Sequence, residues 1–139
     1  MKKKKYNVGL TFGAYDCCHR GHINLLENAK KQCNKLVVCI STDDYIRKVK
    51  NAEPIIMLED RLANVEAIRY VDIVDVQSLQ FGKKEAVAKY HPDVLFVGAD
   101  WNKHTYTGMN LGITVVFLPH TQGISSTMIR DRLLNTKKK

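Results

Sequence analysis

Short runs of aliphatic residues alternate with amphipathic segments along almost the whole chain. The runs lack the polar alternation of a strand with one wet face, so each predicts a strand covered on both faces. The predicted strands are Val8–Phe12, Leu36–Ile40, Val71–Val76, Val94–Val97 and Ile113–Leu118. Helical patterns occupy residues 23–29 and 58–68, and further helices are predicted from Lys83 to Lys89 and from Ser125 to Leu134.

Strands that alternate with helices of this length predict βαβ units, in which right-handed crossovers join parallel strands. We therefore expect an α/β fold: a three-layer, Rossmann-like domain with a parallel five-stranded sheet. The 139 residues are enough for one domain, spanning 1–139, with a substantial core.

The net charge of +8 lies mainly in the two ends of the sequence. Lys2–Lys5 and Lys137–Lys139 supply seven of the 22 basic residues, which leaves 15 against 14 acidic residues in the body. Such basic runs are expected to be disordered tails, at 1–5 and 137–139. A nucleic-acid-binding domain needs a basic face on its body, so no nucleic-acid partner is predicted.

No apolar run approaches the roughly 20 residues that cross a bilayer, and a polar stretch follows the basic N-terminus. We expect a cytoplasmic protein with no membrane partner. The four cysteines, Cys17, Cys18, Cys33 and Cys39, lack the spacing of a zinc site or a disulfide framework. They predict reduced thiols, and no metal-binding set of side chains is predicted.

Polar residues follow four of the predicted strands at their carboxyl ends. The segments are Gly13–His22, Ser41–Lys50, Gly98–Trp101 and Pro119–Thr127. In a parallel α/β sheet, ligands bind beyond the carboxyl ends of the strands. These four segments are therefore the candidates for a common site.

The first segment contains His19-Arg20-Gly21-His22 at the start of a predicted helix. The two histidines are three residues apart, so both imidazoles can face the same side. Gly21 leaves room for a phosphate, and Gly13 allows the backbone to approach a ligand. A helix N-terminus also favours anions. The pattern predicts a triphosphate site, with two unrelated surface histidines as the alternative.

This segment resembles the HxGH signature of the nucleotidyltransferase superfamily related to class I aminoacyl-tRNA synthetases. From about Val8 to Leu133 the chain is most similar to cytidylyltransferases, above all to the bacterial glycerol-3-phosphate cytidylyltransferases. Three further stretches carry the resemblance: Ile40–Asp44, Arg69-Tyr70-Val71-Asp72, and Gly123–Thr127, which is close to the family's RTxGISTT motif.

The resemblance implies a role for each matching residue. His19 and His22 would hold the phosphates and stabilise charge at the α-phosphorus. Lys50, with Lys48 as its alternative, would contact phosphates, and Asp100 would lie near the cytidine. The implied nucleotide-binding set also includes Phe12, Gly13, Ala14, Asp16, Gly21, His120, Gly123, Ile124, Ser126 and Thr127. Arg61 and Trp101 join Lys48 as candidates for the acceptor side. Solvated charges are the alternative for Lys50 and Arg61, and a plain helix N-cap is the alternative for Ser125.

One position departs from the family pattern. The arginine before TxG is His120 here, and histidine is only partly charged at pH 7. Downstream, residues 125–130 are closer to the ISSTxIR motif of nicotinate-nucleotide adenylyltransferases, in which the arginine belongs to the nucleotide site. Arg130 is therefore predicted to supply the charge missing at His120, with pairing to an acid such as Asp131 as the alternative.

The predicted activity is transfer of CMP from CTP to a small phosphorylated alcohol, with Mg²⁺ as cofactor. The leading acceptor is sn-glycerol 3-phosphate, which gives CDP-glycerol and pyrophosphate. Alternatives are phosphocholine, phosphoethanolamine or a sugar phosphate as acceptor, an ATP-dependent adenylyltransferase, and a nucleotide-binding regulatory domain without turnover. Acceptor contacts are expected from segments 77–84 and 101–110. The resemblance also implies a homodimer, with residues 69–72 close to the subunit contact.

Overall fold

The computed structural model describes residues 4–99 and 110–136. Its five strands form one parallel sheet. They are β1 (Tyr6–Gly13), β2 (Cys33–Ser41), β3 (Ile73–Gln77), β4 (Val94–Gly98) and β5 (Thr114–Leu118). The helices are α1 (Arg20–Lys30), α2 (Asp43–Val49), α3 (Leu58–Glu66), α4 (Lys83–Tyr90) and α5 (Ser126–Thr136). This confirms the predicted α/β class and the parallel five-stranded sheet.

The strand order is β3-β2-β1-β4-β5. From β1 the chain winds outward through β2 and β3, and it then crosses back to build β4 and β5 on the other side. The strand order thus reverses between β1 and β4, which is where open parallel sheets bind ligands. Gly13 and Gly98 end these two strands, and both reach the ligand-binding edge.

Helices cover both faces of the sheet and produce three layers. On one face, Leu26 and Ala29 of α1 and Val65 of α3 pack with Leu36, Val38 and Ile40 of β2. On the other face, Ala86 of α4 packs with Val37, Cys39, Leu10 and Leu95. Alternate residues of β2 therefore enter opposite cores, and Leu36 to Ser41 are all buried. This is the reason for the unbroken apolar run in the sequence.

Two elements differ from the sequence prediction. Residues 43–49 form a helix, α2, where only a polar segment after β2 was expected. Thr42 caps it by accepting a hydrogen bond from the Tyr45 amide, and Asp43 and Asp44 lie in its first turn. β3 begins at Ile73 rather than Val71, because the Asp72 carboxylate accepts the Leu36 amide and occupies the place of a backbone partner.

Helices in the described part of the chain are all too short or too polar to span a membrane. The last helix, α5, contributes no buried residue to either core. It is attached instead by polar contacts at its N-terminal end, which lies at the ligand-binding edge of the sheet.

Candidate active site

A cleft of about 280 Å³ opens at the carboxyl edge of the sheet, at the switch point between β1 and β4. It is built from the β1–α1 segment, the first turns of α1, the end of β4 and the segment that leads into α5. Nine predicted nucleotide-site residues line it: Phe12, Gly13, Ala14, His19, Gly21, His22, His120, Ile124 and Ser126. The structure therefore brings three of the four predicted segments together around one cavity, since Gly98 of the third segment also lines it.

His19 and His22 are fixed by hydrogen bonds to the backbone of α1. His19 is the N-cap, and its Nδ1 accepts the Gly21 amide at 3.0 Å. The Nδ1 atom of His22 accepts the His19 amide at 3.1 Å. The two rings are tilted against each other with centroids 3.9 Å apart. Both imidazoles thus share one face, as the spacing predicted.

These bonds determine which nitrogen carries the proton. A neutral imidazole whose Nδ1 accepts a hydrogen bond carries its proton on Nε2. Burial, and then the neighbouring His19, lower the pKa of His22 to about 4. Burial also lowers the pKa of His19, with smaller contributions from His120 and Arg20. At neutral pH both rings are therefore uncharged, and each offers an Nε2–H donor.

Gly21 is required by the position of the His19 ring. A Cβ atom at residue 21 would lie 2.8 Å from Cε1 and 3.0 Å from Nδ1 of His19. Both distances are shorter than normal contacts, so a larger residue would displace the imidazole. The glycine therefore permits the His19 cap itself, in addition to leaving room for a ligand.

Tyr15 forms a buried wall behind His22, which sequence reasoning missed. The centroid of its ring lies 5.1 Å from that of His22, and only 4% of the residue is exposed. Thr11 hydrogen-bonds the phenol, and burial raises the pKa of Tyr15 well above its usual value. Tyr15 and Cys17 both adopt positive φ, at 54° and 52°. Non-glycine residues in this region mark backbone strain, which often accompanies functional loops.

The N-terminus of α5 faces the opposite wall of the cleft. Ser125 caps the helix through its Oγ, which accepts the Met128 amide at 3.1 Å, so the N-cap interpretation of Ser125 is confirmed. The Ser126 hydroxyl donates to the carbonyl of Asp16 at 2.9 Å. Gly123, at φ 83°, makes the turn that precedes the helix. Ser126 and Thr127 occupy the first two helical positions, where amides are open to anions.

The side chains of Asp16 and Arg130 pair with each other, and neither residue lines the cleft. The Asp16 carboxylate accepts the amides of Ile55 and Ile56 at 2.8 and 2.9 Å. The Arg130 guanidinium lies 3.4 Å from Asp16 and donates to the Glu53 carbonyl at 3.2 Å. In this arrangement Asp16 holds the backbone at 55–56. The predicted role of Arg130 toward phosphates stays a prediction, and its acidic partner is Asp16, not Asp131.

Arg61 is a correction to the sequence interpretation. It was expected to be either an acceptor-side residue or a solvated charge, but its side chain is fully buried. Its guanidinium donates to the carbonyls of Ala14, Ser41 and Ile56 at 2.9, 2.6 and 2.8 Å, and it pairs with Asp43 at 2.6 Å. Through these bonds Arg61 positions the backbone around the cleft, and none of its side chain is exposed for contact with an acceptor.

Two lysines lie on the β2 side of β1: Lys83, at the start of α4 and beside the cleft residue Phe12, and Lys50, the exposed residue that follows α2. Burial, and then the nearby cations Lys83 and Arg61, lower the pKa of Lys50. Burial also lowers the pKa of Lys83, whose ammonium lies 5.2 Å from the centroid of the Phe12 ring. Lys48 is exposed in the last turn of α2. Lys83 was not singled out from the sequence, although it lies in the 77–84 segment expected to contact the acceptor.

Two predicted residues, Asp100 and Trp101, lie outside the described residues. Within residues 4–99 and 110–136, no group of three His, Cys, Asp or Glu side chains is arranged to hold a metal ion. The described side chains therefore offer donors and cations to an anionic ligand, and the predicted Mg²⁺ would depend on the ligand's own phosphates.

A switch-point cleft with two Nε2–H donors, the starts of two helices and a lysine beside it is suited to a nucleoside triphosphate. The chain belongs to the cytidylyltransferase-like family, whose model matches residues 10–132. It is thus an enzyme of the nucleotidyltransferase class.

Among its relatives, the glycerol-3-phosphate cytidylyltransferase of Bacillus subtilis is 38% identical over 125 residues, covering 89% of this chain and 95% of that protein. The enzyme of the same name from Staphylococcus aureus is 35% identical over 124 residues, covering 89% and 92%. A solved structure, a lipopolysaccharide core biosynthesis protein from Thermoplasma volcanium, superposes with a TM-score of 0.68 at 26% identity, covering 84% and 97%. These matches confirm the family and the fold inferred from the sequence.

Gly21→Ala is expected to lower turnover much more than thermal stability. The new methyl group would displace the His19 ring, and misplacing a donor by about 1 Å lowers turnover by about 10²-fold. Alanine favours the helix by about 0.5–1 kcal/mol, which offsets the loss of the His19 cap at about the same magnitude, so thermal stability is expected to change little. Steady-state kinetics and a melting curve test this. Full turnover in Gly21→Ala would contradict the fixed-ring geometry.

The low pKa of His22 predicts a stability that depends on pH. Because its folded pKa of about 4 lies below the ordinary 6.5, the unfolded chain binds more protons between these values. The stabilising contribution is complete above pH 6.5 and is lost as pH falls toward 4. Over this range we expect the free energy of unfolding to fall by about 2 kcal/mol more in the wild type than in His22→Gln. This figure allows for partial exposure of the ring.

His22→Gln is the matched variant because glutamine at this position can still accept the His19 amide. Urea unfolding at pH 7, 6, 5 and 4 gives the two curves. Parallel pH dependences for the two proteins would show that His22 titrates normally in the folded state.

Proposed function

We propose that this enzyme transfers CMP from CTP to a small phosphorylated alcohol, with sn-glycerol 3-phosphate as the leading acceptor. CDP-glycerol and pyrophosphate would be the products. The two relatives at 35% and 38% identity carry glycerol-3-phosphate cytidylyltransferase as their name, and each covers nearly the whole chain. The observation that carries the proposal is the pair of fixed, uncharged imidazoles in the cleft, with Lys83 beside the cleft residue Phe12.

The proposed reaction is an in-line displacement at the α-phosphorus. An oxygen of the acceptor phosphate forms the new P–O bond, and the bond to the bridging oxygen of pyrophosphate breaks. The nucleophile is already anionic, so no general base is needed. The site must bring two anions together and stabilise the charge of the transition state with donors already in place.

His19 and His22 would donate from Nε2 to the phosphate oxygens on which charge accumulates. Their Nδ1 bonds to backbone amides hold the rings before the nucleotide arrives, so little reorganisation is needed during the reaction. The first amides of α5, at Ser126 and Thr127, would hold the β- and γ-phosphates at the opposite wall. His120 lies close enough to His19 to lower its pKa, so both could contact the same triphosphate.

Lys50 and Lys83 would bind the acceptor phosphate. Desolvation lowers the pKa of each lysine, and the charge of Lys83 further disfavours the protonated form of Lys50. A phosphate between them would relieve this repulsion, because an opposite charge favours the protonated amines. They lie in the segments that follow β2 and β3, whereas α5 follows β5 on the other side of β1. Two anions would thus meet over the end of β1.

Mg²⁺ would accompany the nucleotide. The ion prefers phosphate and water oxygens with few protein carboxylates, and the described side chains contain no preformed cage for it. Bound to the triphosphate, it would neutralise charge on the leaving pyrophosphate.

A homodimer remains part of the proposal through residues 69–72. Within one chain, the Tyr70 hydroxyl donates to Glu27 at 2.8 Å and accepts from Arg69 at 3.0 Å. Asp72 pairs with Lys30 at 2.6 Å and accepts the Leu36 amide at 2.8 Å. These bonds give Tyr70 and Asp72 a structural role in the monomer and leave the exposed Arg69 as the candidate for a subunit contact.

A pyrophosphate-release screen tests the reaction. Four nucleoside triphosphates with Mg²⁺ are each combined with sn-glycerol 3-phosphate, phosphocholine, phosphoethanolamine and a sugar phosphate. We expect CTP with sn-glycerol 3-phosphate to give the highest rate, and His19→Ala or His22→Ala to lower kcat by at least about 10². Preference for ATP would favour the adenylyltransferase alternative. Binding without pyrophosphate release would favour a regulatory domain.

The acceptor subsite has its own test in two neighbouring lysines. Lys83→Met should raise KM for the acceptor by about tenfold or more, while KM for CTP changes by less than about threefold, since one charged contact contributes about 1.5–3 kcal/mol. Lys84→Met is the matched control, because Lys84 is the next residue on α4 and is exposed. Equal effects of the two substitutions, or a larger effect on CTP, would remove Lys83 from the acceptor subsite.

A further inference from the structure

The geometry points to Asn24 as a positioning residue that orients the Thr121 hydroxyl toward the nucleotide phosphates and ties the two walls of the cleft together. The inference rests on the proposed function, because it takes the cleft to be the triphosphate site. Asn24 itself is not a lining residue of the cleft, and neither the sequence motifs nor the mechanism above uses it.

The central observation is a hydrogen bond between residues 97 positions apart. Asn24 Nδ2 donates to Thr121 Oγ1 at 3.1 Å, in a partly buried place. Asn24 lies on α1, two residues beyond His22, and Thr121 lines the cleft beside His120. The bond therefore joins the helix that carries both histidines to the segment that leads into α5.

The direction of this bond determines what Thr121 can do. A hydroxyl group has one proton to donate and two lone pairs to accept with. Because the Asn24 amide occupies a lone pair of Oγ1, the hydroxyl proton is directed to another acceptor. On a residue that lines the cleft, an anionic phosphate oxygen is the acceptor that would use it best, as charge-assisted hydrogen bonds are the stronger kind.

The segment that carries Thr121 and leads into α5 is held in place by hydrogen bonds of this kind. Pro119, His120, Gln122 and Gly123 are all exposed, and the backbone turns at Gly123 with φ 83°. At its far end, Ser126 is anchored to the Asp16 carbonyl at 2.9 Å. Asn24 supplies an anchor at the near end, next to the position where a fixed arginine charge is replaced by His120. An oriented hydroxyl donor there would strengthen phosphate binding without adding charge.

The test compares three substitutions that change the bond in different ways. Asn24→Leu keeps the approximate size and removes the donor. Asn24→Asp keeps a bond but reverses it, since a carboxylate accepts the Thr121 proton and turns it away from the ligand. Asn28→Leu is the matched control, because Asn28 lies one turn further along α1 at similar burial. Calorimetry with CTP and Mg²⁺, steady-state kinetics and melting curves are measured for each protein.

We expect Asn24→Leu to raise Kd and KM for CTP by about tenfold, equivalent to about 1.4 kcal/mol, while kcat changes by less than about threefold. Asn24→Asp should raise the Kd for CTP at least as much. The melting temperature of Asn24→Asp should be similar to that of Asn28→Leu. Asn24→Leu combined with Thr121→Val should cost no more than Thr121→Val alone, because both changes remove the same donor.

Wild-type affinity for CTP in Asn24→Leu would overturn the inference. Wild-type affinity for CTP in Asn24→Asp would also overturn it, because the bond would then have only a structural role. Loss of kcat with unchanged KM would also contradict it. If the wild-type protein itself neither binds nor consumes CTP, the proposed function fails first. The wild-type arm therefore distinguishes that failure from a failure of Asn24 alone.

Discussion

A fully buried guanidinium holds together the backbone segments that converge on the cleft. Arg61 binds carbonyls of the β1–α1 segment, the end of β2 and residue 56, and it pairs with Asp43 at the start of α2. Asp16 complements it by accepting the amides of residues 55 and 56. Removing a buried charge from such a set typically costs about 3–5 kcal/mol, because the partners are left unpaired. The geometry of the histidine loop and the placement of α2 therefore depend on one cation that is wholly buried.

The charges around the cleft are arranged at a cost that an anion would relieve. Desolvation lowers the pKa of Lys50 and of Lys83, and the charge of Lys83 lowers the pKa of Lys50 further. Desolvation, followed by the nearby His120 and Arg20, lowers the pKa of His19. On the proposed assignment, the binding of phosphates would relieve these unfavourable interactions. The neutral histidines fit this arrangement, because each donates a hydrogen bond without adding to the repulsion.

The sheet and the histidine pair could be predicted because both depend on local patterns. Buried strands appear as apolar runs, and a spacing of three residues places His19 and His22 on one helix face. Helix α2 could also have been found, since Thr42, Asp43 and Asp44 form a capping signal that was read only as a polar loop. Arg61 and the Asn24–Thr121 bond could not, because their roles depend on contacts with residues distant in sequence. No local pattern distinguishes a buried arginine from a solvated one.

The strand order separates the residues around the cleft into two groups. Segments on the β4–β5 side carry Thr121, Ser126 and Thr127, whereas the segments that follow β2 and β3 carry Lys50 and Lys83. On the proposed assignment, the first group meets the nucleotide and the second meets the acceptor. Substitutions and insertions after β2 and β3 can then alter the acceptor while the first group is inherited unchanged. A single scaffold can in this way diversify its products one loop at a time.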